Sequence, residues 1–398
     1  MKRIAIFCDG TWNKREGQIR TNIVRMWESL ARSDGENDQI TIYIPGVGLT
    51  DHEDEAVIGH AGDNPAKLGK TELNSLEEAS LKFGGGAFGW GLDRKVLIAY
   101  KFLAQNYEAG DQVYVFGFSR GAYTARSLLG LVRNCGLPRD CDDDTLSLAM
   151  ALYRSDHPDY APNTDKMRKI RAWLSPRVST DAKDQAQRPA NSMCQPMNIA
   201  YLGVCDTVGA LGVPAALDNL AAFFNRKYRF HDTKLSGMIH SARQVVSIDD
   251  RRVTYEPSLF DQGKLQELND ISVAEEDPFQ QMWFPGTHGC VGGGMPEDER
   301  GICNASLQWM VAGAEAQGLV FDQEKLAAYA DTEAIGPLTS TAHKPGFADK
   351  LTLKLFPSWW RPEIPAADAT SDLVEARWKA LPKYRPEPIA ERAKALGW

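Results

Sequence analysis

The stretch that decides the fold is residues 112–126, QVYVFGFSRGAYTAR. After Gln112 come four apolar residues, β-branched or aromatic, which favour a buried strand. Residues 117–121, GFSRG, match the pattern G-x-S-x-G, in which glycines relieve crowding on a tight turn between a strand and a helix. A helix over 120–134 follows directly. We therefore expect Ser119 to be an exposed nucleophile; the alternative is a serine that only caps the helix.

The rest of the chain alternates between apolar strands and amphipathic helices. Strands are predicted over 3–8, 40–44, 112–116, 199–205 and 282–284, and helices over 21–33, 92–107, 120–134 and 301–316. Residues 244–248 fit either a strand or the end of a helix. This alternation predicts an α/β fold, with a mostly parallel central sheet and helices on both faces.

Three regions interrupt the alternation. Residues 45–90 are rich in glycine and favour a large loop or cap over a sheet element, residues 140–195 are polar with weak helices, and residues 213–240 are helical and aromatic. The end of the chain is rich in Pro and Trp, which favours an extended arm. We therefore expect a catalytic domain over 1–320, containing these three insertions, and a C-terminal extension over 321–398 packed on the core.

Composition excludes two classes of protein. Lys and Arg number 45 against 53 Asp and Glu, a formal net charge of −8, and 43% of the residues are hydrophobic. A disordered chain would be less hydrophobic. Binding to nucleic acid through bulk charge needs a basic excess that this chain lacks, so no nucleic-acid partner is expected.

The sequence predicts no cleaved signal and no membrane span. Asp9 stops the apolar run Ile4–Cys8 short of the about 7–15 residues of a signal-peptide core. No run reaches the about 18 apolar residues of a membrane span. The seven cysteines form no CxxC pattern, as is usual in a reducing cytosol. We expect a cytoplasmic location, with export by a route that needs no cleaved signal left open.

The acid partner of Ser119 should lie downstream, because the triad order after such a turn is serine, then acid, then histidine. Asp206 directly follows the apolar strand 199–205, where a carboxylate can orient an imidazole. The alternative is that Asp206 caps the next turn. Asp249 and Asp250 are rivals, although we expect both to pair with the adjacent arginines.

The histidine partner must lie further along the chain. The candidates are His231, His240, His288 and His343. His288 is favoured because it lies in a glycine-rich stretch after a short apolar strand, WFPGTHGCVGGG over 283–294, from which its ring can reach the serine. The other three have charged or helical surroundings, where a histidine is usually solvated or part of the core.

An oxyanion hole needs two backbone N–H groups near the serine. The first should belong to Arg120, the residue after the nucleophile. The turn Asp9-Gly10-Thr11 is the best candidate for the second, because Gly10 allows a close backbone approach. The alternative is that this segment is an ordinary β-turn.

Four motifs in a fixed order make the sequence recognisable. They are CDGTWN at 8–13, GFSRGAYTAR at 117–126, CDTVGALG at 205–212 and WFPGTH at 283–288. Together they resemble the DUF2235 family of α/β-hydrolases, which includes the Tle1-like phospholipase effectors of bacterial type VI secretion. The resemblance covers roughly residues 1–320. It implies an α/β-hydrolase fold and a Ser-Asp-His lipase or esterase whose triad, carried over by position, is Ser119, Asp206 and His288.

One motif departs from the family pattern. Many relatives have His-Ser-Asp-Val-Gly-Gly-Gly, whereas residues 288–294 here are HGCVGGG, with Gly289 and Cys290 in place of the serine and the acid. Any supporting or ion-binding role of that acid is therefore absent or moved in this chain.

Motifs and resemblance together predict a serine carboxylic-ester hydrolase acting on phospholipid or another acyl lipid, with no cofactor and no metal. Two alternatives stay open: a soluble esterase or amidase for small substrates, and a catalytically silent interaction module on a hydrolase scaffold. If the protein is an effector, the resemblance also implies a secretion-apparatus or immunity-protein partner.

Weaker signals are assigned to structure. GGGAFG at 84–89 fits a dinucleotide pattern but lacks the strand before it and the acid after it, so a loop near the site is favoured. The acidic run 140–144 should cap a helix that begins near Thr145 rather than bind a cation. Aromatic segments at 355–361 and 223–230 are candidates for peripheral membrane contact, although packing of the first on the domain is favoured.

Overall fold

The computed structural model describes residues 1–11, 13, 19–47, 56–60, 66–67, 87–209, 235–274, 276–340, 354 and 359–398. Within them the strands are β1 Arg3–Cys8, β2 Gln39–Ile44, β3 Val57–His60, β4 Ala66–Lys67, β5 Gln112–Phe118, β6 Val178–Ser179, β7 Gln195–Pro196, β8 Ile199–Cys205, β9 Ala242–Ser247, β10 Phe279–Phe284 and β11 Ala369–Thr370. The α-helices are α1 Asn22–Glu28, α2 Ala87–Asn106, α3 Arg120–Cys135, α4 Asp143–Tyr153, α5 Asp165–Leu174, α6 Ala182–Ala186, α7 Gln262–Asp270, α8 His288–Val291, α9 Gly301–Ala316, α10 Gln323–Ala327, α11 Asp372–Ala380 and α12 Ala390–Leu396.

Nine of these strands form one sheet in the order β11-β10-β9-β8-β5-β1-β2-β3-β4. The seven from β11 to β2 run parallel to their neighbours. Parallel strands need crossover connections, and helices supply most of those that the structure describes. The predicted α/β fold with a mostly parallel sheet is confirmed, and its architecture is consistent with an α/β-hydrolase fold.

The prediction of no sheet element in residues 45–90 is wrong. Residues 57–60 pair antiparallel with β2, and residues 66–67 pair with them in turn. The physical reason is that β2 would otherwise leave a row of unpaired backbone groups at the edge of the sheet. This extension of the sheet is not visible in the glycine-rich composition.

Helices cover both faces of the sheet, and the alternation of side chains along β1 explains how. Ile4 and Ile6 point into a core shared with α2 and α3, while Ala5 and Phe7 point into a second core shared with α1 and α9. Phe7 stacks on Phe116 of the neighbouring β5 at a centroid distance of 4.7 Å. A strand buried on both faces needs this continuous apolar sequence, which is why β1 resembles a signal-peptide core.

The polar region 140–195 packs on the main core through a few apolar side chains. Leu146 and Met150 of α4 and Met167 of α5 are buried with α2 and α3. The Asp142 side chain accepts a hydrogen bond from the backbone N–H of Thr145, so the prediction that this acidic run caps a helix is confirmed.

The prediction of an extended C-terminal arm is wrong for the residues that the structure describes. Residues 359–398 contain α11 and α12, and β11 adds a strand to the sheet beside β10. Trp283 of β10 lies in a third buried cluster with Val374 and Trp378 of α11. This segment covers the face of β9 and β10 that α9 does not, because Val246 and Trp283 lie in this cluster whereas Phe284 lies in the core shared with α9.

Other local differences are small. The first helix is Asn22–Glu28, shorter than the predicted 21–33, and the ambiguous stretch 244–248 lies mainly in strand β9. None of the helices in the described part of the chain combines the length and the apolar character that a bilayer crossing needs.

Several predictions fall outside the described residues. These are His231, His343, most of the insertions 45–90 and 213–240, residues 84–86 of GGGAFG, the aromatic segment 223–230 and most of 355–361.

Truncating the central side chain of the third cluster should destabilise the protein. Trp283 is fully buried, and its Nε1–H donates to Asp368 Oδ2 over 2.8 Å. Trp283→Ala should therefore lower the free energy of unfolding by about 3–5 kcal/mol, as measured by urea denaturation. The control is Trp173→Ala, since Trp173 is 72% exposed, and its effect should stay within about 0.5 kcal/mol. Similar losses in both variants would contradict this packing.

Candidate active site

Ser119 lies on a strained turn at the carboxyl end of β5. Its φ of 57° and ψ of −122° are unusual for a residue other than glycine. A Cβ on Gly117 would lie 2.5 Å from the Cα of Ala122, and one on Gly121 would lie 2.1 Å from the Cys8 carbonyl oxygen. The two glycines therefore allow α3 to begin directly beside the ends of β5 and β1.

His288 faces this serine from the first position of α8, the short helix that follows β10. Its Nε2 lies 2.8 Å from Ser119 Oγ, and the ring is buried between Phe118 and Tyr255, with centroid distances of 4.8 and 4.7 Å. These two rings restrict the imidazole to the plane in which it reaches the hydroxyl.

Asp206 completes the arrangement from the carboxyl end of β8. Its Oδ2 lies 2.5 Å from His288 Nδ1, and its φ of 45° turns the chain sharply at this position. An ionised carboxylate can only accept hydrogen bonds, so Nδ1 carries the proton and Nε2 is left to accept from Ser119. The structure thus brings together the three residues that sequence analysis selected.

Two further groups hold the Asp206 carboxylate. Ser247 donates from its backbone N–H to Oδ1 over 2.9 Å and from its hydroxyl to Oδ2 over 3.2 Å. Arg361 donates from Nη1 to Oδ1 and from Nη2 to Oδ2, over 2.9 and 2.8 Å. Sequence analysis missed both residues.

The charges around Asp206 and His288 set the protonation states of the two side chains. Burial acts to raise the pKa of the Asp206 carboxyl, but Arg361 and His288 outweigh that effect and hold it well below its ordinary value. Burial lowers the pKa of His288 below its ordinary 6.5, although Asp206 opposes the shift. At neutral pH the site therefore holds an ionised carboxylate and a neutral imidazole.

The rival acids have other partners. Asp250 forms an ion pair with Arg252 over 2.6 Å, as predicted, and also accepts from the backbone N–H of His288 over 3.0 Å. The prediction for Asp249 is wrong, because its carboxylate accepts from the Gly286 N–H and the Tyr384 hydroxyl instead. The backbone turn after β10 brings that N–H closer to Asp249 than the adjacent arginines.

The turn after β1 lies against Phe118, the residue before Ser119, because a Cβ on Gly10 would lie 2.8 Å from the Phe118 ring. The Gly10 N–H donates to Asp9 Oδ1 over 2.7 Å, so this amide is already engaged. Within the described residues, the Thr11 and Arg120 N–H groups donate no hydrogen bond. Burial raises the pKa of the Asp9 carboxyl to about 6, against hydrogen bonds from Tyr43, Gly10 and Thr21.

The start of α1 ties two of these loops together. The Thr21 hydroxyl donates to Asp9 over 2.9 Å, and the backbone N–H of Asn22 donates to the Gly292 carbonyl over 2.8 Å. Cys290 is buried among apolar neighbours that include Met295 and Ile302. This position thus supports the histidine loop through packing.

His240 lies at the opposite edge of the sheet. Its backbone N–H donates to Ile199, the first residue of β8, whereas Asp206 follows the last. The side chain is exposed and lines a cavity of about 590 Å³ with Arg133 and Lys264. His240 therefore cannot reach Ser119.

A match to the family described as the T6SS phospholipase effector Tle1-like catalytic domain spans residues 2–313. The chain belongs to this family. Arg361 lies beyond the matched residues, yet its guanidinium contacts the acid at the centre of the site.

Individual relatives are more distant. The uncharacterized protein YEL023C of Saccharomyces cerevisiae is 27% identical over 259 residues, which is 65% of this chain and 33% of that protein. A crystal structure of an uncharacterized Pseudomonas aeruginosa protein aligns with a TM-score of 0.44 at 15% identity, over 84% of this chain and 49% of the other. The structure of a Tle1 effector bound to the VgrG spike of the type 6 secretion system aligns with a TM-score of 0.33 at 18% identity. This alignment covers 74% of this chain and 51% of the other. The chain thus spans about half or less of the length of these relatives.

Removing the central acid should cost stability as well as hydrogen bonds. Asp206→Ala leaves the fully buried guanidinium of Arg361 without its ion-pair partner, so the free energy of unfolding at pH 7 should fall by about 3–5 kcal/mol. Because the folded-state pKa is depressed, the contribution of Asp206 is present above its ordinary pKa of 3.8 and is lost as the pH falls below it.

Urea denaturation at pH 7 and at about pH 3, below the ordinary pKa of the carboxyl, measures both effects. The control is Asp159→Ala, which breaks an exposed ion pair with Lys166 and should change stability little. Equal losses of unfolding free energy from the two variants would show that the buried ion pair stabilises the protein no more than the exposed one.

Proposed function

We propose that the protein is a serine carboxylic-ester hydrolase in which Ser119, Asp206 and His288 form the catalytic triad and that its substrate is phospholipid or another acyl lipid. The observation that carries the proposal is the continuous line of contacts from Ser119 Oγ to His288 Nε2, 2.8 Å, and from His288 Nδ1 to Asp206 Oδ2, 2.5 Å. Nucleophile, base and orienting acid in that geometry are what acyl transfer to serine requires.

In the first half-reaction the Ser119 oxygen attacks the ester carbonyl carbon while His288 Nε2 takes the hydroxyl proton. The ionised carboxylate of Asp206 stabilises the resulting imidazolium. When the tetrahedral intermediate collapses, the bond from carbon to the alcohol oxygen breaks, and His288 gives its proton to the departing alcohol. An acyl ester on Ser119 remains.

In the second half-reaction water takes the place of the alcohol. His288 removes a proton from water as the water oxygen attacks the acyl carbon, and it returns that proton to Ser119 as the serine ester breaks. The products are the free carboxylic acid and the regenerated serine.

The negative charge on each tetrahedral intermediate needs N–H donors. We propose that the backbone N–H groups of Arg120 and Thr11 supply them, because neither donates within the described residues. Of the three donors predicted from sequence, Gly10 is the least suited, since its N–H already binds Asp9. Gly10 would instead permit the close approach of the turn to Phe118.

Lipid as substrate, and a role as a type VI secretion effector, are supported by the family rather than by the triad geometry. The family description names a phospholipase effector catalytic domain, which favours an acyl lipid over a small soluble ester. It also favours a component of the secretion apparatus as partner, which co-purification of the full chain with a VgrG spike protein would test. The net charge of −8 favours neutral over anionic lipid surfaces.

The central test compares two esters and two serines. Wild type should release fatty acid from phosphatidylcholine vesicles and acid from a short soluble ester. Ser119→Ala should lower both rates by at least about 10³-fold, because no other group supplies the nucleophile. Ser127→Ala is the matched control, since this serine is buried in α3, the helix that follows Ser119, and its hydroxyl has no hydrogen-bond partner among the described residues.

Each outcome has a definite meaning. Full activity of Ser119→Ala would refute the triad, and wild-type activity on the short ester alone would refute a phospholipid substrate. His288→Ala should be as inactive as Ser119→Ala, while His240→Ala should keep wild-type rates. The reverse pattern would overturn the assignment of the histidine.

The pH dependence of kcat/KM should report His288. The base must be neutral to accept the serine proton, and its pKa lies below 6.5 because burial disfavours the imidazolium. Activity on the short ester should therefore stay level from pH 8 to 7 and fall only below pH 6.5. A midpoint above pH 7 would contradict this environment for the histidine.

A further inference from the structure

We propose that Arg361 is a positioning residue for this reaction: its guanidinium fixes the plane of the Asp206 carboxylate and keeps the Asp206–His288 pair from taking up a proton in mildly acidic solution. The inference rests on the proposed function, which it deepens by adding a residue from outside the family-matched region 2–313.

The contact is bidentate and enclosed. Nη1 and Nη2 of Arg361 each donate to a different oxygen of Asp206, over 2.9 and 2.8 Å, and both side chains are fully buried. A planar guanidinium matches a carboxylate in this parallel arrangement, which fixes orientation as well as distance. Rotation of the carboxylate away from His288 would break both bonds at once.

The segment that carries Arg361 is anchored on both sides. Before it, the ring of Trp360 lies 4.3 Å under the guanidinium of Arg251. After it, the N–H of Ile364 donates to the Pro388 carbonyl over 3.2 Å, and the Ile364 side chain is buried in the third cluster. The guanidinium is thus held from its own backbone as well as by the carboxylate.

The sign of the electrostatic effect follows from the charge of Arg361. A fixed cation beside the pair disfavours an added proton, whichever of the two side chains would receive it. Two other charged groups face His288: Asp250 favours protonation and Arg252 opposes it. These two pair with each other over 2.6 Å, so their effects on His288 oppose each other. Arg361 binds Asp206 directly and also lowers the pKa of Asp250.

Two more titratable groups adjoin the Asp206–His288 pair. Burial raises the pKa of the Cys205 thiol well above its ordinary value. Tyr255 contacts the imidazole through its ring face, with a centroid distance of 4.7 Å. Neither group supplies the positive charge that would be lost with Arg361.

The test uses three variants of the full chain. Arg361→Met removes both the charge and the planar bidentate donor. Arg361→Lys keeps the charge but loses the planar bidentate donor, and Arg392→Met is the matched control. Arg392 belongs to the same segment and donates to the Pro365 and Asp368 carbonyls without touching the triad. Thermal unfolding establishes which variants are folded.

Two readouts separate the inference from the proposed function. The first is kcat and KM on a short ester from pH 4.5 to 8.5. The second is the apparent pKa of the His288 imidazole, measured by NMR on protein labelled at histidine and assigned with His288→Ala. The NMR readout needs no activity, so it tests the electrostatic effect even if no ester is hydrolysed.

In Arg361→Met, the imidazole pKa and the midpoint of the acid limb of kcat/KM should both shift up by about one pH unit. In the same variant kcat should fall by about 10- to 100-fold with little change in KM. In Arg361→Lys, the acid limb should stay near wild type while kcat still falls, because charge is retained and orientation is lost. Arg392→Met should move neither quantity.

Other results would overturn the inference. An imidazole pKa in Arg361→Met equal to wild type would refute the electrostatic role, and wild-type kcat in Arg361→Lys would refute the positioning role. If Arg361→Met does not fold, kcat of Arg361→Lys still tests the positioning role. A higher midpoint of the acid limb in Arg361→Lys would refute the electrostatic role. An inactive wild type with a shifted imidazole pKa would refute the proposed function and leave the electrostatic role of Arg361 standing.

Discussion

Asp206 places an ionised carboxylate where water cannot reach it, at the carboxyl end of β8. Such a charge is tolerated only when protein groups replace its hydration. Ser247, His288 and Arg361 do so with five hydrogen bonds drawn from three separate parts of the chain. The Asp206 carboxylate therefore links β9, the segment after β10 and the C-terminal segment at the carboxyl end of the sheet.

The same edge of the sheet brings the serine and its neighbours within reach. Because β1, β5 and β8 run parallel and adjacent, the residues that follow them, Asp9, Ser119 and Asp206, emerge side by side. The start of α1 then links the turn at Asp9 to the loop at Gly292. Rigid strands and a few long-range hydrogen bonds hold the proposed triad in place, which is the preorganisation that acyl transfer benefits from.

The C-terminal segment has a larger part than its composition indicates. It covers β9 and β10 with the third apolar cluster, and it delivers Arg361 to the buried acid. Family membership rests on residues 2–313, so this contribution lies outside the region that the chain shares with the family as a whole. The same segment therefore both stabilises this edge of the sheet and supplies a charge to the proposed site.

By itself the sequence determined the α/β architecture through its alternating apolar runs. It also predicted the turn at Ser119 from paired glycines, and it favoured Asp206 as an acid directly after a strand and His288 as a histidine in a glycine-rich stretch. Only the tertiary structure decided the partners of those side chains. The binding of Asp206 by Arg361, 155 residues away, the engagement of the Gly10 N–H by Asp9, and the antiparallel extension by β3 depend on which groups are left unpaired after folding. Such pairing is a property of burial and proximity in three dimensions, and no pattern of neighbouring residues encodes it.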